Sequence, residues 1–238
     1  MSDTLGDVED RLAATHQLDA VIRAMRGLAA ARVSEAHEGL RAIRASAATV
    51  GAAIGEILAV APVLPARDAG GAARGSGAEM RIVVGTEQGF VAGFNERIAA
   101  AASGRDSARA LHWLLVGSRL RSALAGRGVS AAWSAPMAAH PDEIPRLASR
   151  VTDALFARLS DGADTARVVL FHASPGAPDL RIAQHALMPF DFARFQVQPH
   201  AQSPLLNVAP ARLLAGMVES YVYVELCEVL MLSFAAEN

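Results

Sequence analysis

At 238 residues and 52% hydrophobic, the chain can bury the core of one ordinary domain with something extended beside it. A formal net charge of -2 argues against a nucleic-acid binder held by phosphate neutralisation, and a single cysteine excludes a disulfide framework or a cysteine-based zinc site. All 22 basic residues are arginine, which with the abundant alanine is a compositional bias that carries no function.

Met1-Ser2-Asp3-Thr4 lacks a basic segment followed by an apolar core, so no signal peptide is expected and the chain reads as cytoplasmic. Residues 4–59 contain no proline, and Thr4-x-x-Asp7 predicts a helix N-cap. Apolar or small residues then recur in steps of three and four, from Leu5, Val8, Leu12, Leu18, Ile22 and Met25 through Val33, Leu40 and Ile43 to Val50, Ile54 and Ile57. The mean step of about 3.5 is the heptad value, which supercoils a helix left-handedly around a partner. Such a helix would reach roughly 80 Å at 1.5 Å per residue. Residues 61–79 carry Pro62, Pro65 and a Gly/Ala/Ser run, the signature of a flexible linker.

From Met80 the period changes. Arg81-Ile82-Val83-Val84 suits a buried strand ending at Gly85. A helix is expected from Asn95, taken as its cap, to Ala102. A second strand over His112–Gly117, a second helix over Ser118–Ala125 and a weak third strand over Val129–Trp133 follow. Pro141–Leu159 reads as helix, and Arg167–Ala173 with Arg181–Leu187 as two strands joined by Ser174-Pro175-Gly176. Strands alternating with helices predict a parallel, Rossmann-like sheet, with the last two strands an antiparallel hairpin on its side. From Leu205 the chain turns helical again, with Leu213, Met217, Ser220, Val224, Cys227, Met231 and Phe234 at three-four spacing. Cys227 in that run reads as a buried structural thiol. Glu219, Glu225 and Glu228 make the same run too costly for a membrane span.

The expected fold class is therefore α/β. A mostly parallel five-stranded Rossmann-like domain (80–200) is inserted between an N-terminal helix (1–60, then a linker at 61–79) and a C-terminal helix (201–238). The two terminal helices are expected to pair as an antiparallel coiled coil.

Functional motifs are sparse. Gly85-x-x-x-Gly89-x-x-x-Gly93 lies between strand and helix, as a phosphate loop does, but fits neither the dinucleotide fingerprint nor the P-loop and has no Lys. A tight turn or a subunit contact is the better reading. His16, His37, His112, His140, His172, His185 and His200 show no metal-ligand spacing, although His172 and His185 could face each other across the hairpin. No catalytic triad or paired-carboxylate constellation stands out, and no catalytic, cofactor or metal site is expected. On charge pattern alone Arg23, Arg26 and Arg32 are a solvated helix face.

Three segments carry a family resemblance. Val21-Ile22-Arg23-Ala24-Met25-Arg26-Gly27-Leu28-Ala29-Ala30-Ala31-Arg32 resembles the N-terminal signature of F-type ATP synthase gamma subunits. Thr86-Glu87-Gln88-Gly89-Phe90-Val91-Ala92-Gly93-Phe94-Asn95 is similar to that family's loop after its first strand, usually Ser-Asp-Arg-Gly-Leu-Cys-Gly-Gly-Phe-Asn. Ser203-Pro204-Leu205-Leu206 through Glu219, Tyr223 and Glu228 resembles the start of its C-terminal helix, and Gly117-Ser118-Arg119 a glycine-x-basic element after the second strand. The chain departs from the family at Glu87 and Gln88, which replace Asp and Arg, and at Gly27, which replaces a large apolar residue. These departures suggest a divergent member, of an alternate ATPase operon. The family's last helix usually continues beyond the equivalent of Ser233–Asn238, so a truncated form is expected, with the seam from Leu5 to about Met25 left facing water.

The resemblance implies a non-catalytic central-stalk rotor that couples ion translocation to ATP synthesis or hydrolysis by rotation. Its implied partners are the alpha and beta subunits of the catalytic ring, the epsilon subunit and the membrane c-ring, with no nucleic acid, no cofactor and no membrane span of its own. It implies contact with the catalytic ring at Arg23, Met25, Arg26 and Arg32. Contact with epsilon or the c-ring is implied at Glu87, Gln88, Gly89, Phe94 and Asn95. A different reading, an α/β ligand-binding regulatory module with a dimerising coiled coil, would need a complete ligand motif.

Overall fold

A computed structural model describes residues 2–60, 78–87, 93–104, 111–161, 165–174, 180–197 and 206–237. The chain opens with helix α1 (Ser2–Val60). It continues through β1 (Ala78–Val84), α2 (Phe94–Ala102), β2 (Leu111–Val116), α3 (Ser118–Ala125), β3 (Trp133–Ala135), α4 (Ile144–Ser160), β4 (Thr165–Ser174) and β5 (Arg181–Met188). It ends in α5 (Pro210–Glu237), with single 3-10 turns at Pro141–Glu143 and Phe192–Arg194. The expected linker beyond residue 60 lies outside the described residues up to residue 77, and β1 begins at Ala78.

The five strands form one sheet in the order β3-β2-β1-β4-β5. The first four are parallel, and β5 runs antiparallel to β4. Covered on both faces, β1 reads as a near-continuous apolar run. Met80, Ile82 and Val84, with Leu114, Val168 and Leu170, face α4 and α5. Val83, Leu115, Val169 and Phe171 face α2 and α3. Arg81 is buried on that second face, and it is tolerated because its charge is paired. Its Nε donates to Glu79 Oε1 at 2.6 Å, its Nη1 donates to Ala102 O, and its guanidinium lies over the Trp113 ring.

Helices α1 and α5 run antiparallel. Gly39 lies against Met231, Arg44 bonds Glu228, Gly51 lies against Tyr221, and Ile54, Ile57 and Leu58 cluster with Leu214. Rising numbers on α1 thus meet falling numbers on α5. This contact occupies only the second half of α1. In the first half Val8, Leu12, Leu18, Val21, Ile22, Met25 and Leu28 are each more than half exposed, although their three-four spacing is the same.

Four details differ from the sequence reading. Helix α1 begins at Ser2, so Thr4 lies inside it rather than capping it. Helix α2 is entered through Gly93, whose φ of 68° needs glycine, and Asn95 is a helical residue. The third strand is displaced from Val129–Trp133 to Trp133–Ala135. Backbone bonds from Gly128 N to Ala125 O and from Val129 N to Leu124 O hold that stretch to the end of α3, so the chain joins the sheet only afterwards. The first turn after Pro141 is 3-10 rather than α, with the Glu143 carboxylate accepting from Ala139 N and His140 N.

The α1 glycines test this packing. A Cβ at Gly55 would meet the Gln196 carbonyl oxygen at 2.2 Å, whereas one at Gly27 meets nothing within 4 Å. Gly55→Ala should destabilise by about 1–3 kcal/mol through overpacking. Gly27→Ala should stabilise by up to about 1 kcal/mol through helix propensity. Urea melts of the two variants give opposite signs if segment 192–197 lies on α1 as described.

Candidate functional site

The loop leaving β1 sits where α/β proteins commonly place a ligand, at the carboxyl end of the sheet beside a helix N-terminus. Here the chain fills that place itself. Glu87 Oε2 accepts from Ser118 N at 2.9 Å, at the start of α3, and from Met137 N at 3.1 Å, just beyond β3. Arg119 Nε donates to the Glu87 carbonyl at 3.1 Å. Burial alone would raise the Glu87 carboxyl, but the bonds from Ser118 and Met137, with the Arg119 charge, hold it below the usual carboxylate range. One carboxylate thereby ties the ends of β1, β2 and β3.

The turn beneath it is built from close approaches. Gly117 has φ 108°, and a Cβ there would meet Gly85 C and Thr86 O at 3.2 Å. Asn95 Oδ1 accepts from Thr86 N at 3.0 Å, and Asn95 Nδ2 donates to Thr86 Oγ1 at 2.9 Å. Asn95 is therefore a buried brace between α2 and the β1 end, and Phe94 is fully buried in the core beside it. Neither side chain faces outward. Glu87 is half-buried, and Gln88 and Gly89 lie outside the described residues.

The second expected surface is on the uncovered half of α1. Arg23 is exposed and pairs with Asp19 at 2.6 Å one turn earlier. Met25 and Arg26 are exposed beside it, and Arg32 is half-buried further along. These four residues share one helix.

A third cluster was legible in the sequence only as two hairpin histidines. His172 on β4 and His185 on β5 touch edge to face at 5.6 Å, beneath Glu225 of α5. Glu225 also pairs with Arg194 at 3.0 Å, and Glu228 one turn later with Arg44 of α1 at 2.8 Å. Two acids at i and i+3 within the apolar stretch Val222–Leu232 were the available signal. Among the described residues no group of three or more His, Cys, Asp or Glu could hold a metal ion. Cys227 is buried, and burial pushes its thiol above its usual range, which suits a packing role.

Residues 4–238 match the profile of a family described as ATP synthase. No curated relative matches the chain. Among solved structures it is similar to a chain of the Tetrahymena thermophila mitochondrial ATP synthase central stalk and c-ring. That pair is 14% identical over 88% of this chain and 94% of that one, with a TM-score of 0.51. A chain of the Euglena gracilis mitochondrial ATP synthase rotor is 9% identical over 88% and 85%, with a TM-score of 0.48.

The Glu87 knot is open to a direct test. Glu87→Ala leaves Ser118 N and Met137 N without their charged acceptor, a loss of about 1.5–3 kcal/mol. Because the folded carboxyl titrates below its unfolded value, its contribution is complete above the ordinary pKa of 4.5 and is lost as pH falls through the lower folded value. Urea midpoints at pH 7 and pH 4 should therefore differ more for the native chain than for Glu87→Ala.

Proposed function

Because the chain belongs to the gamma-subunit family of ATP synthase, the non-catalytic rotor of the central stalk, we propose that its two terminal helices form the turning shaft and its sheet domain the foot. The rotor couples ion movement through the membrane sector to ATP synthesis or hydrolysis at the alpha and beta subunits. The alpha and beta subunits and the c-ring are its partners. We add epsilon as a further partner of the foot, and assign the assembly to the cytoplasmic face of the plasma membrane.

In this reading residues 1–60 and 201–238 are a coiled coil, 61–79 a linker and 80–200 the foot. One observation carries it. The seam of α1 keeps its three-four spacing through Val8, Leu12, Leu18, Ile22 and Met25, yet these side chains stand more than half exposed. At about 25 cal/mol per Å² of apolar surface, a few hundred Å² left wet costs several kcal/mol. A surrounding ring of subunits removes that cost. Such a ring also needs a smooth, weakly bonded sleeve contact, and small or apolar residues punctuated by Arg23, Arg26 and Arg32 suit it. We assign Arg23, Met25, Arg26 and Arg32 to the catalytic-ring contact. At the foot we assign the outward contact to Glu87, Gln88 and Gly89, with Phe94 and Asn95 holding their loop from inside.

By length and composition alone α1 also contains a stretch apolar enough to cross a bilayer. Its buried side chains Ile54, Ile57 and Leu58 pack with Leu214 and the aromatic residues Phe190, Phe192 and Phe195, which supports a place in the shaft instead. The ligand-binding module is disfavoured because the anion position at the α3 N-terminus is already taken by Glu87.

Met25→Lys in the assembled complex is the test. A charge placed where a moving sleeve meets an apolar side chain should leave ATP hydrolysis substantial and ion pumping per ATP reduced. A normal pumping ratio would remove Met25 from the sleeve. Failure of the chain to co-purify with alpha, beta and c subunits would overturn the rotor assignment itself.

A further inference from the structure

Helix α5 meets the sheet through an apolar centre and a charged margin. At the centre, Val222, Leu226 and Leu230 pack with Ile82, Val84 and Leu170. At the margin, over β4 and β5, lie His172 and His185. Facing them are Glu225 and Glu228 from α5, Arg194 from the turn after β5, and Arg44 from α1.

The charges at this margin balance before either histidine is protonated. Glu225 is matched by Arg194 and Glu228 by Arg44. Arg194 is fixed further by the rings of Tyr221, Phe190 and Phe195, whose centroids lie 4.5, 5.0 and 5.3 Å from its guanidinium carbon. Burial would raise the Glu225 carboxyl, but its contacts with His185 and Arg194 hold it below the usual range, so it stays charged.

The two histidines are not equivalent. His185 is partly exposed, and its Nε2 lies 3.2 Å from Glu225 Oε1 without the alignment of a hydrogen bond. His172 is buried, and its Nδ1 lies 2.8 Å from Ala173 O. A neutral ring has one N–H, and this geometry places it on Nδ1. A further proton must then go to Nε2, in a buried place beside the His185 ring and with no unmatched carboxylate near.

We propose that this margin is a proton-operated latch on α5. A proton on His172 releases the helix from the β4–β5 edge while the apolar centre stays packed. Burial, followed by the neighbouring His185 charge, holds the His172 imidazole below its ordinary value of 6.5, with the Ala173 carbonyl, Glu228 and Glu225 opposing in part. The docked margin therefore binds fewer protons than the released one, and docking weakens as pH falls below about 6.5. Because α5 also carries the contact with α1, the latch sets how firmly the sheet domain is joined to α1. It lies within one chain and does not depend on the rotor reading.

Hydrogen–deuterium exchange on the full chain tests it, with rates corrected for the intrinsic effect of pH. Protection of peptides over residues 181–188 and 218–229 should drop several-fold between pH 7.5 and pH 5.5, because the released edge takes up a proton that the docked edge excludes. His172→Asn keeps an N–H toward Ala173 O but cannot titrate, so it should abolish the difference. Equal protection of the native chain at both pH values, or a drop that persists in His172→Asn, overturns the latch. If that variant fails to fold, ring-proton NMR titration of the native chain decides. The His172 ring should titrate below its ordinary value of 6.5, and titration of His172 at or above that value refutes the proposal.

Discussion

Burial of α5 from Val222 onward on nearly all its sides is the constraint from which the architecture follows. Val222, Leu226, Val229, Leu230 and Phe234 are all nearly excluded from water, and no single neighbour could cover them. A helix apolar around its circumference must be enclosed. The sheet with α4 closes one side and α1 closes another. A helix from the beginning of the chain and a domain from its middle are thus held together by a helix from its end. The small residues of α1 permit the approach, since Gly51 lets Phe195 and Tyr221 pass and Gly55 lets the backbone at Gln196 lie directly on the helix.

The sheet domain shows how a layout common in ligand-binding proteins can be braced by its own side chains. Parallel strands, a glycine turn and a helix N-terminus at the carboxyl end of β2 are all present. The negative charge that such a helix end favours comes from Glu87, a half-buried side chain of the same chain. The result is a cross-braced corner, as a part that transmits force requires. Fold and function separate here in the expected way, since the layer architecture is shared widely and the use is decided by a few side chains.

Much of this was legible beforehand because it depends on neighbours in sequence. The three-four spacing gave α1 and α5, the β-branched run gave β1, and Ser118–Ala125 appeared as the helix expected. What went astray depended on distant partners. Asn95 is an ordinary helix-cap residue by type, but its side chain is claimed by Thr86, nine positions back. Val129 is a good strand residue held instead by the end of α3. The Glu87 knot closes onto residues 31 and 50 positions away, and no local pattern announces it.

Sequence alone therefore determined most of the elements, their order and the family, since periodicity and motif spacing are local properties. Tertiary structure alone decided which half of one uniform seam is covered. Leu40 and Ile54 are buried and Leu12 and Ile22 are exposed, though all four obey the same three-four rule. It also decided that Phe94 and Asn95 point inward, and that two histidines, two glutamates and two arginines from five segments meet at one margin. The reason is physical. Periodicity specifies which side of a helix is apolar, while burial and charge pairing depend on what the rest of the chain brings against that side.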